Sequence, residues 1–320
     1  MTGPDHAVAA GNRVAAIDCG TNSIRLLVAD LPPAGAVPTT PLRDITRRMQ
    51  IVRLGARVDQ TGRLAPEAIE RTRIALAEYA AEIATLGAER ARMIATSATR
   101  DADNAAEFRA MVRATASVEP EVVTGDEEAR LSFDGAVRGL PASCPAPYLI
   151  VDIGGGSTEF VTGTRSVDHA ISVDIGAVRM TERHFATDPP TAAEIADAER
   201  DIRESVRRGL DAVSGRAANT LVGLAGSVTT VAAIALGLEG YEPARSHHAR
   251  IAYADVRRIT EELLAMTTEQ RRAIPVMHPG RADVIAAGAL IVATIMVEAG
   301  VDALVASEHD ILDGIAWSLL

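Results

Sequence analysis

Two short stretches of this chain carry residue types suited to holding phosphate. Asp18–Ser23 reads DCGTNS and Asp152–Thr158 reads DIGGGST. Each places an aspartate at the end of an apolar run, then small residues, then hydroxyls. Small residues let backbone N–H groups converge on an anion, and Ser or Thr adds donors. The aspartate can hold a cation, directly or through water, that neutralises phosphate charge. A single loop of this kind is equally an ordinary glycine-rich hairpin turn. Two matching copies are harder to dismiss. With Asp18 set on Asp152, Gly20 falls on Gly154 and Ser23 on Ser157 at one constant offset, with apolar residues on both sides. That pattern points to an internal duplication. It is not a dinucleotide fingerprint, because GxGxxG is absent and the aliphatic pair Phe160–Val161 follows where a helix would start.

Three further stretches could do chemistry. TSATRDADN (96–104) offers Ser97 and Arg100 at a strand-to-helix transition, and AGSVTT (225–230) repeats the design with Gly226, Ser227 and Thr229. Helix N-termini bind anions and Arg forks onto phosphate oxygens; both stretches also read as plain helix caps. GDEEARL (125–131) sets Asp126, Glu127 and Glu128 side by side. Such acids are usually cap and dipole partners, but a carboxylate aimed into a phosphate cleft can orient or deprotonate water. Six Arg between Arg43 and Arg63 face only Asp44 and Asp59, a solvated basic face or a guide for a polyanion. His247, His248, His278 and His309 show no metal spacing and read as structural or cap residues, and no GxSxG nucleophile elbow is present.

Composition narrows the field. The chain has 320 residues, and its 32 basic residues are all Arg. Without Lys, Schiff-base chemistry and the lysine phosphate grips of P-loops and protein kinases are excluded. A net charge of −11 repels nucleic acid and acidic lipid, and 3% aromatic residues leave little for base stacking. Cys19 and Cys144 make neither a disulfide framework nor a zinc site. The N-terminus lacks signal-peptide features, and the longest apolar run, 284–297, is shorter than the ~20 residues that span a bilayer. The expected location is the reducing cytoplasm.

The elements that must position these motifs follow from periodicity. Residues 14–30 and 148–163 each read as strand, tight turn, strand. Further strands are predicted over 47–54, 92–96, 121–123 and 220–224, with helices over 61–86, 105–116, 191–213 and 231–236. Residues 32–41 form a Pro/Ala loop, and the remainder after 236 is mainly helical with a break at 275–280. The length suits two domains.

In order, AIDCGTNSIRLL, VRLG, TSATRDADN, VTGDEEARL, VDIGGGSTEF, GLAGSVTT, RAD with AAGA, and ASEHDILDG resemble the exopolyphosphatase/guanosine pentaphosphate phosphatase family from Val14 to Leu320. The resemblance implies an α/β fold of two ribonuclease-H-like lobes, as in the ASKHA (acetate kinase, sugar kinase, heat-shock protein and actin) superfamily, closing on an active-site cleft. The lobes would be 1–134 and 135–305, with 306–320 returning to complete the first. The resemblance assigns the first phosphate loop to Asp18, Gly20, Thr21, Asn22 and Ser23, with Arg25 just beyond. It assigns the second to Gly154, Gly155, Gly156 and Ser157. Glu128 matches the catalytic glutamate, Asp152 and Glu159 the acids that hold Mg2+ or Mn2+, and Ser97 and Arg100 a hydroxyl/arginine phosphate grip. Gly226, Ser227 and Thr229 match a further loop, although Ala225–Gly226–Ser227 replaces the family's glycine pair and threonine.

The implied reaction is release of orthophosphate from the end of inorganic polyphosphate by metal-assisted in-line attack of water. The alternatives are hydrolysis of pppGpp or a nucleoside triphosphate at the same site, with ppGpp or ADP as products, and a non-catalytic polyphosphate or alarmone sensor. The resemblance is compatible with a homodimer. Long family members carry C-terminal helical domains beyond the second lobe, so a preference for short chains and distributive cleavage is expected here.

Overall fold

The structure is a computed structural model that describes residues 12–33 and 40–320. The N-terminal segment and most of the 32–41 loop therefore lie outside the described residues. Runs of Val, Ala, Ile and Leu build strand β1 (Arg13–Cys19) and strand β2 (Ser23–Asp30), nearly all buried. They pair antiparallel, and β3 (Arg43–Ile51) continues the meander as a half-exposed edge strand. After the single-turn α1 (Val58–Thr61), α2 (Pro66–Leu86) starts on a proline, whose missing N–H costs nothing at a helix start. Then come β4 (Arg90–Ala95), the one-turn α3 (Ser97–Arg100), α4 (Ala105–Ala116), β5 (Pro120–Val122) and α5 (Gly125–Val137). Strands β4 and β5 run parallel to β1, giving the sheet order β3-β2-β1-β4-β5.

The second half repeats this plan. Strands β6 (Tyr148–Ile153), β7 (Thr158–Gly163) and β8 (Val167–Val173) form the meander, followed by α6 (Ala177–His184), α7 (Ala192–Ala212), β9 (Thr220–Leu224) and α8 (Ala225–Ala235). Next come α9 (Pro243–Ser246), β10 (Arg250–Ala252), α10 (Tyr253–Ala265), α11 (Thr268–Arg272), α12 (Ile285–Ala299), β11 (Ala303–Ala306) and α13 (Ile311–Trp317). The order β10-β11-β9-β6-β7-β8 contains the first sheet's order plus one antiparallel edge strand. This is the two-lobed ASKHA architecture, and the duplication extends to single bonds. Gly20 N–H donates to Ser23 O at 2.9 Å, and Gly154 N–H donates to Ser157 O at 3.0 Å.

Two elements differ from the sequence reading. Strand β8 was not anticipated, because VDHAISV is a half-exposed edge strand without a clean alternation. The AGSVTT stretch is the start of α8 rather than a loop before it, since its small side chains are buried under α12. The apolar run at 284–297 forms most of α12, which is hydrophobic all round because the second lobe encloses it. Among the described residues no helix is long and apolar enough to cross a membrane.

Helices α5 and α13 lie where the lobes meet. Ala129, Phe133 and Ala136 of α5 pack on the second sheet, whereas Leu131 joins Val14, Leu27 and the α13 residues Ile311, Leu312 and Ile315. The two helices cross so closely that a Cβ at Gly135 would stand 1.8 Å from Asp310 O, and one at Gly314 1.9 Å from Leu131 O. The 134/135 boundary expected from the sequence falls inside α5, and Ala306 is still the last residue of β11 in the second sheet.

Candidate active site

Between the lobes lies a cavity of about 110 Å³ walled by both glycine loops. Asp18, Gly20, Thr21, Asn22, Ser23 and Arg25 reach it from the first lobe, with Ser97 from the start of α3. Asp152, Gly154, Gly155, Ser157 and Glu159 face them from the second lobe, with Gly226 and Ser227 from α8 and Glu128 from α5. Three expected residues lie elsewhere. Thr229 faces an adjoining chamber of about 670 Å³, one turn too far along α8 to reach the smaller cavity. Gly156 sits at the seam of the lobes, where a Cβ would be 2.7 Å from Ser97 Oγ and 2.8 Å from Thr21 Oγ1. Arg100 stands behind Glu128, as described below.

The loops are prepared for an anion by what happens to their carbonyls. Gly55 N–H donates to Thr21 O at 2.8 Å, and Val52 and Arg53 N–H donate to Asn22 O. In the second lobe the amides of Ala177, Val178 and Arg179 donate to Gly154 O and Gly155 O at 2.9–3.0 Å. With those carbonyls committed behind the loops, the amides of Thr21, Asn22, Gly155 and Gly156 have no protein acceptor among the described residues. Uncommitted donors facing a cavity take water or an anion as partner, and an anion of the right size engages several at once. Thr21 Oγ1 and Ser97 Oγ, 2.9 Å apart, add hydroxyls.

The carboxylates are the other half of the site. Thr124 caps α5 by accepting from Glu127 N–H at 3.2 Å. This first turn points Glu127 outward to Arg92, 3.0 Å away, and Glu128 inward, where it is only 7% exposed. Burial raises the Glu128 carboxyl to about 7, against the pull of Arg100, whose Nη1 donates to Oε2 at 2.9 Å. Asp152 is also raised to about 7, by burial and then by the charge of Asp310, while Ser132 Oγ donates to its Oδ2 at 2.6 Å. Glu159 is raised by burial and by Glu128, and accepts from Ser172 Oγ at 2.7 Å. Burial raises Asp18 despite Arg25, which donates to Oδ2 from Nε at 2.9 Å and from Nη2 at 2.7 Å.

Both arginines expected to grip phosphate are engaged with carboxylates. Arg25 is held between Asp18 and Asp310, and Arg100 between Glu128 and Val123 O. A buried carboxylate is costly without an opposite charge beside it, and these guanidiniums supply one, while Arg25 also lines the cavity. Several arginines of the Arg43–Arg63 group are likewise paired with acids, although Arg47 and Arg48 also line the adjoining chamber. Arg47 pairs with Asp44 and Asp313, Arg48 with Glu82, and Arg53 with Asp283.

The sequence profile of the Ppx/GppA phosphatase family matches residues 34–320. This chain belongs to that family. It is 50% identical over 316 residues to Exopolyphosphatase 2 of Mycobacterium tuberculosis, covering 96% of this chain and 98% of the relative. The crystal structure of an exopolyphosphatase-like protein superposes with a TM-score of 0.90 at 39% identity, covering 96% of this chain and all of that one. The Ppx/GppA family member from Aquifex aeolicus superposes at 0.79 with 32% identity, covering 96% and 97%.

A divalent cation fits the donor set of this Ppx/GppA phosphatase. Asp18 Oδ1 is buried with no hydrogen-bond partner, and the raised carboxyls of Asp152 and Glu159 line the same cavity. All are hard oxygen donors. Among the described residues no three acids, His or Cys stand close enough together to hold a metal ion by themselves. A cation bound here would complete its shell with waters and substrate phosphate.

Sequence reasoning missed Arg281 of the RAD stretch. It lines both the cavity and the chamber, and its Cζ lies where a Cβ on Gly226 would come within 2.4 Å. Its one side-chain hydrogen bond is a long 3.5 Å contact to Thr230 Oγ1, and among the described residues Glu308 and Asp310 attract it without forming an ion pair. Burial lowers its pKa. Ser132 and Ser172, which steady Asp152 and Glu159, were missed too. Nothing local marks any of the three; only the position of RAD within the ordered family motifs pointed toward Arg281.

Proposed function

We propose that this chain is an exopolyphosphatase that cleaves the terminal phosphoanhydride of inorganic polyphosphate and releases orthophosphate. The observation that carries this reading is Glu128, a buried carboxylate raised to about 7, at the wall of a cavity lined by two phosphate-type loops. The terminal phosphate is held by the uncommitted amides of both loops and by the Thr21 and Ser97 hydroxyls. Arg281, which lines the cavity without an ion-pair partner among the described residues, offsets its charge. Glu128 accepts the proton of a water as that water's oxygen bonds to phosphorus. The bridging P–O bond breaks, and the shortened chain leaves with the bonding pair. Such transfer relies on positioning and charge neutralisation, so no covalent intermediate is needed. Asp18, Asp152 and Glu159 are the groups that would hold Mg2+ or Mn2+, which when bound supplies charge neutralisation at the phosphate oxygens.

Few cations near the cavity are unpaired, so extra units of a long chain gain little. Short chains and distributive cleavage are the corresponding expectation, read on a gel as a smoothly shortening ladder. Cys19 and Cys144, both buried free thiols, suit the cytoplasm in which we place the protein. The deciding experiment is phosphate release from polyphosphates of several lengths, pppGpp and ATP. The chamber of about 670 Å³ has room for a nucleoside, so the nucleotides are a real competitor set. Faster turnover of polyphosphate supports the reading. Preference for a nucleotide, or no release from any of them, overturns it.

A further inference from the structure

The second phosphate loop is tied to the opposite lobe by one side chain, Arg179. It lies in the first turn of α6, and its side chain is only 13% exposed. Its Nε donates to Gly156 O at 2.7 Å, so the third glycine of the loop is held from behind. Its other two nitrogens reach into the first lobe. Nη1 donates to Asp59 on α1, and Nη2 donates to Asp101 Oδ2 at 2.6 Å, one residue beyond Arg100. Only a planar guanidinium can serve three acceptors set in this fork; an ammonium cannot.

The surroundings make this the closed edge of the cleft. Arg183 of α6 also meets Asp59, at 3.1 Å, and Arg57 N–H donates to the Glu182 carboxylate at 3.0 Å. Between Thr21, Asp101, Gly156 and Arg179 only about 10 Å³ of space remains. Gly156 presses there against Ser97 and Thr21, the two hydroxyl residues of the site. Arg179 itself does not line the active-site cavity.

We propose that Arg179 is a positioning residue for the reaction, a clasp that sets the spacing of the lobes and the seating of Gly156 against Ser97 and Thr21. The proposal rests on the phosphoanhydride hydrolysis argued above. In-line transfer is sensitive to such spacing, and a misplacement of about 1 Å can cost roughly 10²-fold in rate.

The test compares the wild type with Arg179→Gln, Arg179→Lys, Asp101→Asn and the double variant Arg179→Gln/Asp101→Asn. Phosphate release from polyphosphate gives kcat and KM. Pulsed electron resonance gives the distance between labels at Ala77→Cys on α2 and Arg208→Cys on α7. Both labelled positions are exposed, whereas Cys19 and Cys144 are buried. Arg179→Gln is expected to broaden and lengthen that distance, and to lower kcat about 10–100-fold with KM changed by less than about threefold. Arg179→Lys should restore part of the rate. Asp101→Asn should act in the same direction, and the double variant should lose less than the product of the single losses. An unchanged distance distribution in Arg179→Gln, a kcat within about twofold of wild type, or losses that simply multiply would overturn the clasp. Should the wild type release no phosphate from polyphosphate, the functional reading fails, while the distance measurements still decide for or against the clasp.

Discussion

Replacing Arg100 separates two roles for it that the sequence alone cannot. In the structure its Nη1 lies 2.9 Å from Glu128 Oε2, and the pair is mostly buried, at 26% and 9% side-chain exposure. Opposite unit charges about 4 Å apart attract by roughly 4 kcal/mol at an effective dielectric near 20. Part of that gain is offset by the desolvation of Arg100 itself. Adjacent opposite charge typically moves a carboxyl by about 1–3 units, each worth about 1.4 kcal/mol. The sign is fixed by the chemistry. Glu128 must be ionised to take a proton, and removing a cation disfavours the ionised form, so its pKa rises from about 7. For Arg100→Gln we expect the acid limb of the kcat/KM profile to move about 1–2 units toward higher pH. Most of the activity should return on the alkaline side, whereas Arg100→Lys should keep the limb near its original place. The assay is phosphate release from pH 5 to 10 at one saturating metal concentration. A pH-independent loss with a raised KM would refute the argument and return Arg100 to the role of substrate grip.

Three further outcomes follow from the same geometry. Glu128→Gln should bind polyphosphate and lose about 10²–10⁴-fold in turnover. Glu127→Gln should be far milder, since that carboxylate is paired with Arg92 on the surface, and equal losses would reverse the assignment. Glu128 and Asp152 are raised from 4.5 and 3.8 to about 7, so between those limits the folded chain binds more protons than the unfolded one. The melting temperature of chelator-treated protein should therefore fall as pH rises from about 4.5 to about 7. Mg2+ should recover it at pH 8, and less so in Asp152→Asn. Arg281→Met removes an unpaired, partly buried cation, so it should leave thermal stability unchanged or higher while raising KM for polyphosphate by about tenfold or more. A normal KM would mean that Arg281 does not touch substrate.

What the sequence determined is local. Asp, small residues and Ser at the same spacing in two strand–turn–strand units determine two loops with matching Gly20–Ser23 and Gly154–Ser157 bonds, because a turn closes through neighbours in the chain. The ordered motifs carried the family and so the two-lobed fold, and they pointed to Glu128. What each charge does was decided only by tertiary structure. Arg25 and Arg100 look like phosphate ligands in sequence, yet one meets Asp310 from the far end of the chain and the other meets Glu128. Arg281 has no distinctive local sequence, and among the described residues Glu308 and Asp310 lie near enough to attract it but not to pair with it. Arg179 sits in an ordinary short helix until the lobes close and Asp59 and Asp101 arrive beside it. Whether a buried guanidinium is spent on a carboxylate or left for a ligand depends on which partners approach within about 4 Å, and those partners come from other strands, other helices and the other lobe.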